Sequence, residues 1–460
     1  NYLTNISQQT HKRMVCKIKG ALVMLFFLSG YTVHGQQEFS LKQAVEYALL
    51  NNEQVLNSEL AIEDSEAQVW ETKSGGRPKI DANVSYNNNL KIPVSIIPAN
   101  VFDPTAPEGE IAAVKFGVQH AANFGMSASQ MIWDGSFFIG LKAARTLREL
   151  SETNKFKTET DVVGMVTKSY YLVVINQERI GLIDANYISI EGTLNETKEL
   201  FNNGFAEKID VSRLQVQLNN LTTEKQSVEN AVVSAKNLLK TVMGMPVNQQ
   251  ITLTDDLNGI DFEYDIDLVN GFELQNRVEV QQMNYNRRLA MLDYKNAKAA
   301  YIPTVGLTAA WGRNNGNDVF GSLWSKEWFT SSMVGVNVNI PIFEGFKKKY
   351  TVQRKRIQMQ TLDNNYKQLS NNIQSELADA KNGLDVNKQR LDVQIANMEL
   401  AAEVRDMATE KYREGVGSNL EVINAEQDYK EAETNFLEAL YNSILSKINL
   451  DIALGIIHQQ

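Results

Sequence analysis

Cysteine, histidine and proline are all scarce in this chain, and each scarcity removes a class of explanation. The one cysteine of the 460 residues, Cys16, precedes an apolar run, which leaves the remainder with no disulfide and no thiol nucleophile. The four histidines, His11, His34, His120 and His458, are scattered, so no histidine cluster offers a metal site or a catalytic base. The chain is therefore expected to be no enzyme and to need no cofactor and no metal. Eight prolines leave long stretches free to continue as helix. No apolar run approaches the roughly twenty residues of a membrane helix, so any passage through a bilayer has to use strands. Cations are outnumbered, and a formal charge of −10 argues against nucleic acid as a partner.

Residues 1–35 read as upstream residues and a signal peptide. If translation starts at Met14, Lys17 and Lys19 precede an apolar run from Ala21 to Leu28 and a small Gly35. Cleavage is expected near Gly35. Removing the four cations of this segment takes the net charge from −10 to −14.

The stretch Gly345 to Tyr412 has no proline and one internal glycine, Gly383. Leu362, Tyr366, Leu369, Ile373, Leu377, Leu384, Leu391, Ile395, Met398 and Ala402 fall on one narrow helical stripe. A single helix of that length would reach roughly 100 Å at 1.5 Å per residue, so it is expected to lie in a wall of neighbours, not around a compact core.

In chain order a helix from Phe39 to Ser74 ends at Pro78, and a strand follows in which Ile80, Ala82, Val84 and Tyr86 alternate with polar residues. A proline-rich loop, a second strand near 122–133, a long helix from Gly135 to Phe201, and a helix from Ala206 to Met243 complete a first structural repeat at 36–246. An acidic inter-repeat connector occupies 247–267. The series then recurs at 268–460, with a helix to Tyr301, strands near 303–313 and 332–343, the long helix, and a last helix ending at Gly455. Gly204 and Gly415 lie 211 apart, as do Gly244 and Gly455.

The first strand pair is placed near 79–90 and 122–133. Each of the four strands has about the length a tilted strand needs to cross a bilayer, with Tyr86, Trp311, Trp324 and Trp328 available at the rims. Four strands cannot stand in lipid as an open sheet, so copies must close a barrel together. A trimer would give twelve strands and a lumen, whereas a dimer's eight would be filled by side chains.

The duplicated plan, the steps Pro78-to-strand and Pro303-to-strand, the exit Pro341-Ile342-Phe343-Glu344-Gly345, and the segments FNNGFAEKIDVSRLQ (from Phe201) and YREGVGSNLEVINAEQ (from Tyr412) together resemble the TolC family of outer-membrane channel-tunnels. The resemblance covers nearly all of the chain after residue 35. It implies a mostly α fold with a transmembrane β-barrel: a homotrimer with a 12-stranded barrel continued by a 12-column α-helical tunnel. It also implies an outer-membrane location in a Gram-negative bacterium, contact with outer-membrane lipid, and docking to a periplasmic adaptor and an inner-membrane transporter. The function implied is a passive conduit for efflux or type I secretion. A periplasmic coiled-coil adaptor or scaffold protein is the alternative, since it too is built on helical hairpins.

By the same resemblance, Glu421 matches a lumen-facing acidic ring at the periplasmic entrance, and Asp210 with Tyr412 matches a link between neighbouring coils. Asn424 stands where a second acidic ring is found, and Gly417 where an arginine follows the tip glycine. Read from the residues themselves, Ser418-Asn419-Leu420-Glu421 is a capping box, Asp210 suits a first helical turn, and Gly204, Gly415 and Gly417 are turn residues. The resemblance further implies that the helix-tip turns at Gly204, Gly415, Gly417 and Ser418 serve adaptor docking.

Overall fold

The computed structural model describes residues 37–457 except 258, 259, 261, 265 and 326. The expected signal peptide, with His11, Cys16 and His34, and the terminal His458 lie outside the described residues.

The first elements are β1 (Gln37–Phe39), α1 (Leu41–Asn51), α2 (Glu53–Ser74) and β2 (Lys79–Asn88). They are followed by β3 (Val94–Pro98), β4 (Ile111–Lys115), β5 (His120–Trp133), α3 (Gly135–Asn202), α4 (Lys208–Met243) and β6 (Ile251–Leu253). The remainder is α5 (Ile266–Asn270), α6 (Val278–Ala299), β7 (Thr304–Asn317), α7 (Ser322–Ser325), β8 (Phe329–Asn339), α8 (Lys347–Arg413) and α9 (Asn419–Leu454). Two compact units result. One holds the described residues up to Asn52 with Met165–Asp261 and Gln394–Tyr441; the other holds Glu53–Gly164, Phe262–Val393 and Asn442–Gln460.

Four positions depart from the sequence expectations, each for a local reason. The first helix is broken, because the Asn52 amide caps α1 on Ala48 O (2.8 Å) while its side-chain nitrogen donates to Val242 O (2.7 Å). The proline-rich loop contains an antiparallel hairpin, β3 with β4, Ile96 facing Ala113. The helix expected from 268 to 301 is reduced to α6, preceded by the short α5. Strand β8 ends at Asn339 instead of near 343: Pro341 has no N–H to give to a ladder.

The long α8 follows the expectation closely. All ten residues of its predicted stripe are buried or half-buried, with Ile373, Leu384 and Leu391 buried. In α3 the buried side includes Thr146, Thr153, Thr160 and Thr167, one every seventh residue; Thr153 and Thr160 return their hydroxyls to the carbonyls of Glu149 and Phe156. Small side chains at those places let a neighbouring helix approach closely.

In the unit that carries α1 and α4, β1 pairs in parallel with β6, Glu38 opposite Thr252. Tyr170 holds the pairing, donating its hydroxyl to Phe39 O (3.0 Å) and accepting from the Asp255 amide (3.3 Å). Burial pushes its phenol well above the usual range, so it stays a donor. In the other unit Arg277, 5% exposed at its side chain, donates to Ala453 O (2.6 Å) at the end of α9 and pairs with Glu279 (3.0 Å) and Glu376 (3.2 Å).

Candidate functional site

Strands β2, β5, β7 and β8 form one antiparallel sheet in the order β2-β5-β7-β8. Residues opposite one another in an antiparallel pair point to the same face, so the register sorts the side chains. One face carries the rows Ile80–Ala128–Ala309–Val334 and Ala82–Met126–Trp311, with Leu307–Val336 and Val305–Val338 continuing it. The other carries Asn83–Gly125–Gly312–Ser331 and Lys79–Ser129–Thr308–Gly335. The apolar face is bare: Val84 and Val334 are each 76% exposed. In water that arrangement is unfavourable by about 25 cal/mol for every Å² left uncovered. Arg313, between Phe124 and Thr330, is a charged exception on it. Trp311 meets Phe124 edge-on at 5.8 Å, and Trp324 lies 6.1 Å from Trp328. Tyr86 is stacked on His120 and donates to or accepts from its Nδ1 at 2.9 Å.

The second region is the pair of helix-tip turns. At the end of α3, Gly204 (φ 84°) donates to Phe201 O and Phe205 to Leu200 O; at the end of α8, Gly415 (φ 74°) donates to Tyr412 O and Val416 to Lys411 O. Both are Schellman closures, which need a left-handed residue that glycine supplies without strain. Gly417 is required for a different reason. A Cβ there would stand 2.9 Å from Lys411 Cβ and 3.0 Å from Tyr412 N.

The predicted tip residues are placed as follows. Ser418 Oγ accepts from the Glu421 amide (3.2 Å), the serine half of the expected capping box, and the Glu421 side chain is exposed. Asp210 closes a capping box with Glu207, accepting from the Glu207 amide (3.3 Å), and lies 3.9 Å from Arg213. The Tyr412 hydroxyl is 3.0 Å from Thr197 Oγ1, while its ring packs on Ala408, Val422 and Ala425. Within one chain Asp210 and Tyr412 thus have separate partners.

Sequence reasoning passed over Glu426 and Glu433, both buried on α9. Ser189 donates to Glu426 (3.0 Å) and Asn186 to Glu433 (2.7 Å). Burial pushes the Glu426 carboxyl above its usual range; Ser189 and the Arg405 guanidinium pull it back. The signal was present: the two carboxylates are seven apart and stand within the apolar stripe that runs through Val422, Ala425, Leu437 and Leu440.

The structure thus joins a four-stranded sheet with one apolar and one polar face directly to two helices of 68 and 67 residues. The fold is that of the outer-membrane efflux channels. The CmeC channel of Campylobacter jejuni superposes with a TM-score of 0.70 at 18% identity, over 90% of this chain and 85% of that one. Among relatives by sequence, the probable efflux pump outer membrane protein TtgC of Pseudomonas putida is 23% identical over 420 residues, 90% of this chain and 83% of its own. The outer membrane protein TolC of Vibrio cholerae is 18% identical over 338 residues, 73% of this chain and 77% of its own. Residues 272–456 match the family described as outer membrane efflux protein.

Proposed function

We propose that this chain is the outer-membrane channel of a tripartite efflux or type I secretion assembly, a passive conduit from periplasm to exterior. The observation that carries the reading is the sorting of the sheet into an apolar and a polar face, with β2 and β8 as its two edges. Unpaired backbone groups are not tolerated in lipid, so the edges require partners. Three copies supply twelve strands, enough for a lumen lined by the polar face. The helices continue the wall as twelve columns, the duplicated repeats 36–246 and 268–460 contributing two columns each.

The tip turns around Gly204, Gly415, Gly417 and Ser418 form the periplasmic entrance and the docking site of an adaptor that joins the channel to an inner-membrane transporter. Glu421 faces the lumen as an acidic ring. Asp210 and Tyr412 link neighbouring coils when the trimer is closed. An adaptor would not need the bare face of the sheet, which disfavours that alternative. The test is reconstitution of detergent-purified protein into planar bilayers. Discrete conductance steps from a trimer support the conduit; a detergent-independent monomer that carries no current ends it.

A further inference from the structure

The turn from β8 into α8 is built unlike its counterpart in the first half. Where β5 leads into α3, Asp134 caps the helix by accepting from the Ser136 amide (2.8 Å), and Phe137, Phe138 and Ile139 follow. At the positions 210 residues on, the chain reads Lys347-Lys348-Lys349. The first turn of α8 contains no acid. Three ammonium groups then meet the positive end of a 67-residue helix, the arrangement that the helix dipole disfavours. Glu344, the counterpart of Asp134 just before the helix, is taken up by Lys348, which leaves Lys347 and Lys349 without a carboxylate of their own among the described residues.

Lys348 is accounted for: it lies 3.0 Å from Glu344, is largely covered, and passes over the Tyr301 ring. Lys347 and Lys349 have no carboxylate partner among the described residues; Lys349 lies instead over the rings of Phe346 and Tyr350. Beside these charges stands a bare apolar patch. Ile342 is 93% exposed, Phe343 71% and Phe346 61%. The patch is held there at a cost, because Phe346 has φ 66°, a left-handed conformation that side-chain-bearing residues avoid, directly after Gly345 at φ 57°. That kink sets Phe346 edge-on to Phe343, 5.3 Å between ring centres. A shallow cleft between Tyr301, Pro341 and the three lysines lies alongside.

We propose that this turn is an anchoring site for an anionic phospholipid of the inner leaflet: Lys347 and Lys349 bind the headgroup phosphate while Ile342, Phe343 and Phe346 sit among the acyl chains. The assignment rests on the outer-membrane reading, which places the helix end of the sheet at the periplasmic boundary. Charge complementarity selects the occupant. Exposed aromatic side chains next to unpaired lysines match a surface that is oily within and negative at its rim.

The experiment compares the full-length protein with Lys347→Gln/Lys349→Gln and with Lys347→Arg/Lys349→Arg. Each is reconstituted into vesicles of phosphatidylethanolamine containing 0 or about 20% phosphatidylglycerol, a useful range for surface charge, then re-extracted, and its bound lipid is counted by mass spectrometry. Wild type should retain phosphatidylglycerol in preference. The Gln variant should lose roughly fivefold in that preference for each lysine, and the Arg variant should keep it. Inorganic phosphate should not displace the lipid; if it does, the site binds a free anion and the anchor is overturned. Equal retention by wild type and the Gln variant, with both inserted, overturns the anchor alone. Failure of the wild type to enter either vesicle overturns the outer-membrane reading with it.

Discussion

The Tyr412 hydroxyl, at the last turn of α8, is 3.0 Å from Thr197 Oγ1, near the end of α3, and so ties the two long helices together just before their tip turns. Thr197 is fully buried and also bonds the Thr193 carbonyl, so the contact has little freedom to rearrange. Any widening of an entrance at this end has to give up that bond or move both helices as one.

Replacing Tyr412 by Phe together with Asp210 by Ala is expected to raise the resting conductance of the reconstituted protein. The Phe change deletes a bond of about 1 kcal/mol and leaves the ring packing on Ala408 and Val422. Single-channel recording checks this; an equally closed double variant removes Tyr412 and Asp210 from the lock.

Glu421→Gln is expected to lower cation preference without loss of stability, because Ser418 Oγ still accepts from the backbone amide at 421. Reversal potentials in a salt gradient measure it. Unchanged selectivity would leave Glu421 a cap residue and nothing more.

A contrast across the sheet tests the assignment of its faces. Val336→Lys puts a charge on the apolar face and is expected to cost about 2–4 kcal/mol if the site is near mid-bilayer, whereas Asn337→Lys on the polar face is expected to assemble normally. Yield of trimer in membranes reports both.

Two glycines with the same φ sign should respond differently to alanine. Gly204 has open space around its missing Cβ, so Gly204→Ala should cost about 1 kcal/mol of strain. At Gly244 (φ 72°) a Cβ would come within 2.4 Å of the Asn51 carbonyl oxygen, so the loss should be several times larger. Thermal melting ranks them.

Glu426 predicts a pH dependence. Its folded-state pKa lies above the unfolded value, so between the two the native state holds the extra proton, and stability falls as pH rises through that window. The groups set around it are Ser189, Arg405, Glu433 and Asp406. Glu426→Gln keeps an acceptor for Ser189 and removes the charge. It should therefore melt higher than wild type at pH 7, by roughly 1–3 °C, with the gap closing toward pH 4.5.

The periodic elements were legible in the sequence because periodicity is local. The α8 stripe and the alternation Ile80, Ala82, Val84 and Val334, Val336, Val338 both appear in the structure. What escaped was decided by residues far apart. Tyr412 meets Thr197 across 215 positions, Asn52 breaks its helix on Val242 across 190, and β1 finds β6 across more than 200. The hairpin β3–β4 escaped for another reason: prolines at 93 and 98 read as loop, yet Pro98 sits at a strand end, where a missing N–H costs little. Glu426 and Glu433 were hidden because an acid on a long helix reads as solvated until its neighbours are known.

The unmatched borders of the four-stranded sheet, β2 on one side and β8 on the other, also bear on how the cell must handle this polypeptide. If copies close the barrel as proposed, a newly made chain carries two sticky seams and a greasy flank, and it needs an escort until siblings arrive. Completion then depends steeply on how many copies are present at once, and sparse expression should leave orphans for proteases to clear.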